Sequence, residues 1–166
     1  MAQGAKHVVI DEAAYNTAPQ CVLVPDTLQF LQQLANYHRR KLNIPILGIT
    51  GTNGKTTTKE LCHAVLSQKY NTVATKGNLN NHIGVPLTLL SMDSSTEFGI
   101  VEMGANHPGE IKELCKIVEP DYGIITNIGY AHLEGFGSYE NIIQTKRALY
   151  ESVKEKSGIL FVNGED

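Results

Sequence analysis

The chain has 166 residues, of which 42% are hydrophobic and 19% are charged, so it can bury the core of one domain and is not disordered by composition. Its formal net charge of −3 provides no broad basic surface, and we therefore expect no nucleic acid partner. Any phosphate that the chain binds is expected to bind locally.

The cysteines and the lack of long apolar runs indicate the compartment. Cys21, Cys62 and Cys115 are odd in number and far apart, so the sequence predicts neither a disulfide framework nor a zinc site. Residues 1–15 do not have the pattern of a signal peptide, and no stretch approaches the ~20 apolar residues that cross a bilayer. We expect a cytoplasmic protein with no membrane partner.

The N-terminal part begins with two short apolar runs, His7–Ile10 and Gln20–Val24. Asp26 and Gln29 then have capping-box spacing for a helix that ends near Leu42, before Pro45 disfavours its continuation. The predicted apolar face of this helix consists of Leu28, Leu31, Leu34 and Ala35. This part is too small for a complete domain, and we interpret residues 1–43 as the end of a preceding one plus a linker helix. The alternative is a short cap on the main sheet.

A glycine-rich turn follows the apolar, β-branched stretch Ile44–Ile49, which is typical of a buried strand, and precedes a helix predicted over Lys55–Lys69. In that position backbone N–H groups converge on phosphate oxygens, aided by the helix dipole. Lys55 would reach the terminal phosphates, and Thr56 would place its hydroxyl on Mg²⁺. The sequence therefore predicts a phosphate-binding loop.

The spacing of this loop departs from G-x-x-x-x-G-K-[ST], which requires glycine at position 49. The chain has Ile49 there, with glycines at 48 and 51 instead, so the match is to a variant loop. The following helix is predicted to bury one face that carries Leu61, Val65 and Leu66.

Strands and helices alternate through the rest of the chain. The predicted strands are Asn71–Lys76, Phe98–Gly104, Tyr122–Gly129 and Ile159–Asn163. The predicted helices are a short one through Leu90, then Pro108–Val118 and Tyr139–Lys154. This alternation predicts an α/β fold of the P-loop mononucleotide-binding type, with a mostly parallel sheet flanked by helices. Ligands of such sheets bind outside the carboxyl ends of the strands.

Polar residues occur at several predicted strand ends. Glu102 ends an apolar strand, where a phosphate-loop enzyme needs a carboxylate for Mg²⁺ or water. Asn78, Asn80 and Asn81 exceed what a turn requires, so they are candidates to recognise phosphate, sugar or carboxylate. The residues from Asn106 to Glu110 begin a helix, with Pro108 in its first turn, and this N-terminus either only caps the helix or binds an anion.

Three further candidates come from the last third of the chain. His132 and Glu134 lie in a glycine-rich loop beyond a predicted strand, and residue type alone leaves open whether the imidazole binds a divalent cation. Lys146 is followed by Arg147 in the last long helix, and by periodicity both are expected to be solvated.

Four motifs together resemble the Mur ligase family over residues 20–166. In chain order they are Thr50-Gly-Thr-Asn-Gly-Lys-Thr-Thr-Thr-Lys-Glu60, Gly77-Asn-Leu-Asn-Asn-His-Ile-Gly-Val-Pro86, Glu102-Met-Gly-Ala-Asn-His-Pro-Gly-Glu110 and Ala131-His-Leu-Glu-Gly-Phe-Gly-Ser138. The loop alone is also similar to folylpolyglutamate synthases. The other three motifs, in this order, are most similar to the family's ligase for UDP-N-acetylmuramoyl-tripeptide and D-Ala-D-Ala, and the altered glycine spacing is usual in the family.

The resemblance implies that ATP phosphorylates the tripeptide carboxylate and that the amine of D-Ala-D-Ala attacks the acyl phosphate, releasing ADP and phosphate. It implies ATP binding by eight loop residues: Thr50, Gly51, Thr52, Asn53, Gly54, Lys55, Thr56 and Thr57. Thr56 and Glu102 would bind one Mg²⁺, and Lys55 would be catalytic.

For the other candidates the resemblance implies roles that residue type alone did not. His132 would help to bind a second magnesium, and Lys146 matches the family lysine that is carbamylated by CO₂ to support that metal. Asn78, Asn80 and Asn81 would bind the substrate.

Family ligases have an N-terminal domain for the UDP moiety, a central ATPase and a C-terminal closing domain. We expect residues 1–43 to end the first, residues 44–166 to form most of the second, and the closing domain to be absent, leaving a monomeric chain that is inactive alone. The alternatives are another Mur or folylpolyglutamate-type ligase, or a non-catalytic nucleotide-binding module.

Overall fold

The computed structural model of the protein describes residues 4–130 and 133–164. Its N-terminal part contains β1 (Val8–Ile10), a short 3₁₀ helix (Ala13–Tyr15), β2 (Cys21–Leu23) and α1 (Thr27–Leu42). β1 and β2 pair in parallel as a separate small sheet. The side chain of Asp26 accepts from the backbone N–H of Gln29 at 2.7 Å, which confirms the predicted N-cap of α1.

The main sheet has five strands, which all run parallel in the order β4-β5-β3-β6-β7. They are β3 (Ile46–Thr50), β4 (Thr72–Ala74), β5 (Phe98–Glu102), β6 (Tyr122–Ile125) and β7 (Ile159–Phe161). The helices between them are α2 (Lys55–Leu66), α3 (Gly84–Leu90), α4 (Glu110–Val118), α5 (Leu133–Phe136) and α6 (Tyr139–Glu155). This arrangement confirms the predicted α/β fold with helices on both faces of a parallel sheet.

Helices cover the two faces of the sheet unequally. One face and α1, α3, α4 and α6 form the larger core, whose fully buried members include Ile46, Val101 and Leu149. On the other face α2 contacts β3, β4 and β5, where Cys62 and Leu66 pack on Leu47, Ile49 and Ile100. This distribution is what right-handed crossovers produce, because only the connection from β3 to β4 runs toward the β4 edge.

The predicted buried face of α2 was wrong in part. Leu61 and Val65 are 64% and 70% exposed, whereas Lys59, Cys62 and Leu66 face the sheet. The buried face is rotated relative to the predicted one, because Lys59, one turn after the start of the helix, points inward. A prediction based on apolar residues alone omits this charged position.

α1 is attached to the α3 and α4 side of the domain by polar contacts. Arg39 is buried and donates to the carbonyls of Val118 and Glu119 and to Asp121 Oδ2 at 2.7 Å. Asp121 Oδ2 also accepts from the backbone N–H of Ile46, at the start of the central strand. α1 therefore packs as a layer of this domain. Leu34, predicted for its apolar face, is 43% exposed.

Across the described residues, the structure contains no helix that is long and apolar enough to cross a membrane.

Candidate functional site

The phosphate-type loop lies at the carboxyl end of β3 and needs glycine at Gly51. Its φ is +150°, and a Cβ there would be 1.9 Å from the Thr126 side-chain oxygen. Gly54, at φ +76°, caps the N-terminus of α2. Gly48 lies inside β3 rather than in the loop, where a Cβ would meet Met103 and Leu149. The glycine that seemed displaced in sequence is therefore a packing residue, and Gly51 is the first glycine of the loop.

The outer edge of the loop is bound to the segment after β6. Thr52 N–H donates to the carbonyl of Asn127, and Thr52 Oγ1 accepts from Gly129 N–H at 2.9 Å. Asn53 N–H donates to Asn127 Oδ1 at 3.0 Å, and Thr126 Oγ1 donates to the carbonyl of Asn53 at 2.6 Å. These contacts fix the loop on the sheet. The amides that open α2 follow it, and a helix provides no intrahelical acceptor for them.

Lys55 lies at the opening of the loop. Its ammonium donates to the carbonyls of Gly51 and Thr52 at 2.9 and 3.0 Å. Together with the N-terminus of α2, this cation creates a local positive field suited to a phosphate group, on a chain of net negative charge. The exposed hydroxyl of Thr57 lies in the same first turn. Thr50, by contrast, is buried and donates to the carbonyl of Met103 at 2.8 Å, so it joins β3 to the end of β5.

Glu102 ends β5 beside the loop and is only 1% exposed. Its Oε2 accepts from Thr56 Oγ1 at 3.0 Å, and its Oε1 accepts from Asn80 Nδ2 at 2.8 Å. Its backbone N–H donates to Thr75 Oγ1 at 3.0 Å. A buried carboxylate is thus held between two polar side chains, one from the first turn of α2 and one from the loop after β4.

The pair Thr56 and Glu102 fits a magnesium ion. Octahedral Mg²⁺ has ligands at about 2.1 Å, which places neighbouring ligand oxygens about 3.0 Å apart. The oxygens of Thr56 and Glu102 are 3.0 Å apart. Among the described residues no three His, Cys, Asp or Glu side chains cluster to hold a metal, so phosphate oxygens and water would complete this coordination.

The three candidate asparagines have different environments. Asn80 contacts Glu102 directly, and its carbonyl accepts from Gly104 N–H at 2.8 Å. Asn81 Oδ1 accepts from the N–H groups of Ile83 and Gly84, so this oxygen caps α3. Asn78 is exposed, and its carbonyl accepts from the N–H of Asn80.

Lys146 is buried in α6, whereas the next residue, Arg147, is exposed. Lys146 is 4% exposed, so the expectation from periodicity was wrong for it, whereas Arg147 is solvated and pairs with Glu151 at 3.1 Å. Burial, and then the positive charge of Lys55, lower the pKa of Lys146 to about 8. The ion pairs of the described residues do not include Lys146.

The remaining candidates lie beyond β6 and β5. His132 lies outside the described residues, while Glu134 is exposed in α5, a short helix that the sequence did not predict.

α4 begins at Glu110, two residues later than expected from Pro108. The reason is that Glu110 Oε2 accepts from the backbone N–H groups of Asn106 and His107 and closes that turn with its own side chain.

A cleft of about 760 Å³ opens next to this centre. Lys55 and Asn80 line it on the loop side, and Gln32 of α1 lines it with Glu110 and Glu113 of α4 on the other. Lys55, Asn80 and Asn81 therefore face one cleft, and Asn80 connects it to the buried Glu102 carboxylate through a hydrogen bond.

Sequence reasoning missed Lys59, which is fully buried behind Glu102. Its ammonium is 4.0 Å from Glu102 Oε2 and donates to the carbonyl of Thr75 at 2.7 Å. The sequence feature that could have identified it is its position one helical turn after Lys55, on the same helical face as Cys62 and Leu66.

Known proteins match both the sequence and the fold. The family model described as the Mur ligase middle domain matches residues 49–166. The UDP-N-acetylmuramoyl-tripeptide–D-alanyl-D-alanine ligase of Bacillus subtilis is 44% identical over 144 residues, covering 87% of this chain and 32% of that protein.

Solved structures share the fold as well. The crystal structure of MurF from Acinetobacter baumannii has a TM-score of 0.89 and 34% identity, covering 99% of this chain and 41% of that one. MurF from Thermotoga maritima, solved in complex with ADP, has a TM-score of 0.85 and 36% identity, covering 93% of this chain and 36% of that one. The chain thus spans about a third of the length of these proteins. Because the family model matches most of its residues, the chain belongs to the Mur ligase family.

Proposed function

We propose that the protein carrying this chain is an ADP-forming ligase that joins D-Ala-D-Ala to UDP-N-acetylmuramoyl-tripeptide in peptidoglycan precursor synthesis. The relative from Bacillus subtilis carries the name of this activity. The observation that supports the chemistry best is the buried carboxylate of Glu102, 3.0 Å from the Thr56 hydroxyl at the opening of a phosphate-type loop.

The reaction begins when a carboxylate oxygen of the tripeptide attacks the γ-phosphorus of ATP and ADP leaves. Lys55 and the amides of the first turn of α2 stabilise negative charge on the transferred phosphoryl group, since positioning and electrostatics dominate phosphoryl transfer. The amine of D-Ala-D-Ala then attacks the acyl carbon, loses a proton and expels phosphate. An amide bond forms as the carbon–oxygen bond to phosphate breaks.

Thr56 and Glu102 would hold one Mg²⁺, which when bound neutralises charge on the phosphates. Asn80 orients the Glu102 carboxylate through the 2.8 Å hydrogen bond that its side-chain amide donates. The backbone carbonyl of Asn80 accepts from Gly104 N–H. The cleft beside it, which Asn80 and Asn81 line, would receive the tripeptide substrate, with Asn78 in the same loop.

Lys146 and His132 would serve a second magnesium near the acceptor carboxylate. Carbamylation requires a neutral amine, and the depressed pKa of Lys146, about 8, supplies a substantial neutral fraction near neutral pH. The carbamate carries a negative charge where the unmodified lysine carries a positive one. It would change the sign of the local field beside Lys55.

The substrates are small molecules, and we propose a monomeric cytoplasmic enzyme that acts without nucleic acid or membrane. The net charge of −3 is in keeping with this set of partners.

The test is a ligation assay of the full-length protein with ATP, Mg²⁺ and UDP-N-acetylmuramoyl-tripeptide, followed by mass spectrometry of the products. D-Ala-D-Ala is offered beside L-glutamate and single D-amino acids, and a folate acceptor is offered with glutamate. We expect product only with D-Ala-D-Ala, and a loss of at least 100-fold in kcat for Lys55→Ala. Lys69→Ala, an exposed lysine just after the same helix, is the matched control.

Product with another acceptor would reassign the substrate within the family. Calorimetry tests the non-catalytic alternative. A scaffold that keeps the loop only for stability would show no ATP·Mg²⁺ binding in either the wild type or Lys55→Ala, whereas a nucleotide-binding module would bind ATP·Mg²⁺ but form no product in the ligation assay.

A further inference from the structure

Lys59 is the one lysine of α2 that does not reach solvent. Its side chain is fully buried, although a buried ammonium is costly unless charges and hydrogen bonds compensate it. Lysine at this depth therefore requires an explanation that the phosphate-type loop, one turn earlier, does not give.

The contacts of Lys59 connect α2 with two other parts of the site. Its Nζ donates to the carbonyl of Thr75 at 2.7 Å and to that of Gly77 at 3.4 Å, both in the segment that leads to Asn80. The same Nζ lies 4.0 Å from Glu102 Oε2, and both residues are almost completely buried.

Glu102 depends on these neighbours for its position. One carboxylate oxygen accepts from Asn80 and the other from Thr56, while Lys59 supplies the nearby positive charge. Lys59 thus acts on Glu102 in two ways: directly through charge, and indirectly by holding the segment that carries Asn80.

The nearest acidic partner of Lys59 is a different residue. Glu60 Oε1 is 2.9 Å from Nζ, but Glu60 is 61% exposed, so solvent screens that pair. The pair with Glu102 is shielded from solvent on both sides. Substitutions of Glu60 and of Lys59 should therefore have different effects on the site.

We propose that Lys59 is a positioning residue, which holds the Glu102 carboxylate in the orientation that binds magnesium with the nucleotide. The proposal rests on the proposed function, because it assumes that Glu102 binds magnesium together with the nucleotide. It assigns to α2 a second lysine that serves the same site as Lys55 without touching the substrate.

The test compares ADP binding by the full-length protein with and without Mg²⁺, using calorimetry in Mg²⁺ and in EDTA. For Lys59→Met we expect ADP affinity in EDTA within about twofold of wild type, because the loop amides are unchanged. The gain in affinity that Mg²⁺ provides should fall by at least about tenfold, as is typical when a residue supporting a metal ligand is removed. Glu60→Gln should keep the full gain.

An unchanged Mg²⁺ gain in folded Lys59→Met would overturn the proposal. So would an equal fall of both affinities, since that is the result of a general structural role.

If Lys59→Met does not fold, the double variant Lys59→Met/Glu102→Gln decides. Removing the buried carboxylate together with its counter-charge should restore folding, and failure of the double variant would contradict the pairing.

Urea unfolding of the wild type, Lys59→Met, Glu102→Gln and the double variant, all without ligand, forms a double-mutant cycle that does not depend on nucleotide binding. We expect strong coupling between positions 59 and 102, and additive effects would overturn the proposal. If the wild-type protein shows no Mg²⁺-dependent ADP binding, the proposed function fails, while this cycle still decides the inference.

Discussion

Two adjacent basic residues on α6 show how strongly position controls chemistry. Arg147 is solvated and pairs with Glu151 one turn later, and such exposed pairs contribute about 0.3–0.5 kcal/mol. Lys146 is 4% exposed beside the phosphate-type loop, and its pKa is lowered to about 8 by burial and by Lys55. Only the second side chain can be a nucleophile toward CO₂ near neutral pH.

The depressed pKa of Lys146 predicts how carbamylation depends on pH. At fixed bicarbonate an amine forms carbamate and water without net proton release, so occupancy below saturation follows the neutral amine. We expect the carbamate signal from ¹³C-bicarbonate, measured by NMR, to increase from pH 7 to 9 with a midpoint near 8. An ordinary lysine, with a pKa of about 10.4, would show its increase above pH 9.

The signal should be lost in Lys146→Ala and retained in Lys154→Ala, an exposed lysine of the same helix. A signal that persists without Lys146, or that never forms in the wild type, would contradict the proposed carbamate.

Among the elements, α1 is anchored by a buried cation in addition to its packing on α3 and α4. Arg39 is 5% exposed, and its guanidinium donates to Asp121 and to two carbonyls at the end of α4. Asp121 also accepts from Ile46 N–H and pairs with Lys156 at 2.9 Å. The carboxylate thus joins α1, β3 and the residue after α6.

We predict that Asp121→Ala destabilises the protein by about 3 kcal/mol, because it leaves the Arg39 charge buried without its partner. Urea unfolding followed by circular dichroism measures this free energy. Glu113→Ala removes an exposed pair with Lys116 and should cost less than about 0.5 kcal/mol. Equal losses in the two variants would show that Arg39 does not anchor α1.

The sequence predicted which elements exist better than it predicted where they end or which face they bury. β6 was expected to reach Gly129 but ends at Ile125, because the next side chain, Thr126, turns to bind Asn53. α4 starts late because Glu110 caps the preceding turn. Side-chain hydrogen bonds of this kind depend on the fold and cannot be predicted from hydrophobic periodicity.

The site was predictable where its residues are close in sequence, and less so where they meet across the sheet. Lys55 and Thr56 follow from the loop motif, and Glu102 follows from its position at a strand end. The bond from Asn80 to Glu102 and the burial of Lys59 depend on how β4, β5 and α2 are placed relative to one another. Gly48 was counted with the loop glycines when the motif spacing was compared, although it also fell within the predicted strand Ile44–Ile49, and the structure places it inside β3.

At the scale of the whole molecule, parallel strands bring the site together. β3 supplies the phosphate-type loop, β5 supplies Glu102, and the segment after β4 supplies Asn80, all at the carboxyl edge of one sheet. α6 adds Lys146 from the opposite layer. Groups that would act on nucleotide, metal and carboxylate are thereby gathered near one edge of the sheet, where parallel α/β sheets bind their ligands.

The measurement that tests this account most directly follows oxygen from the substrate into phosphate. UDP-N-acetylmuramoyl-tripeptide labelled with ¹⁸O in its reacting carboxylate is incubated with the full-length protein, ATP, Mg²⁺ and D-Ala-D-Ala, and the phosphate is analysed by mass spectrometry. Transfer through an acyl phosphate predicts one ¹⁸O in the released phosphate for each amide formed, together with ADP. Unlabelled phosphate, or labelled AMP with pyrophosphate, would contradict it.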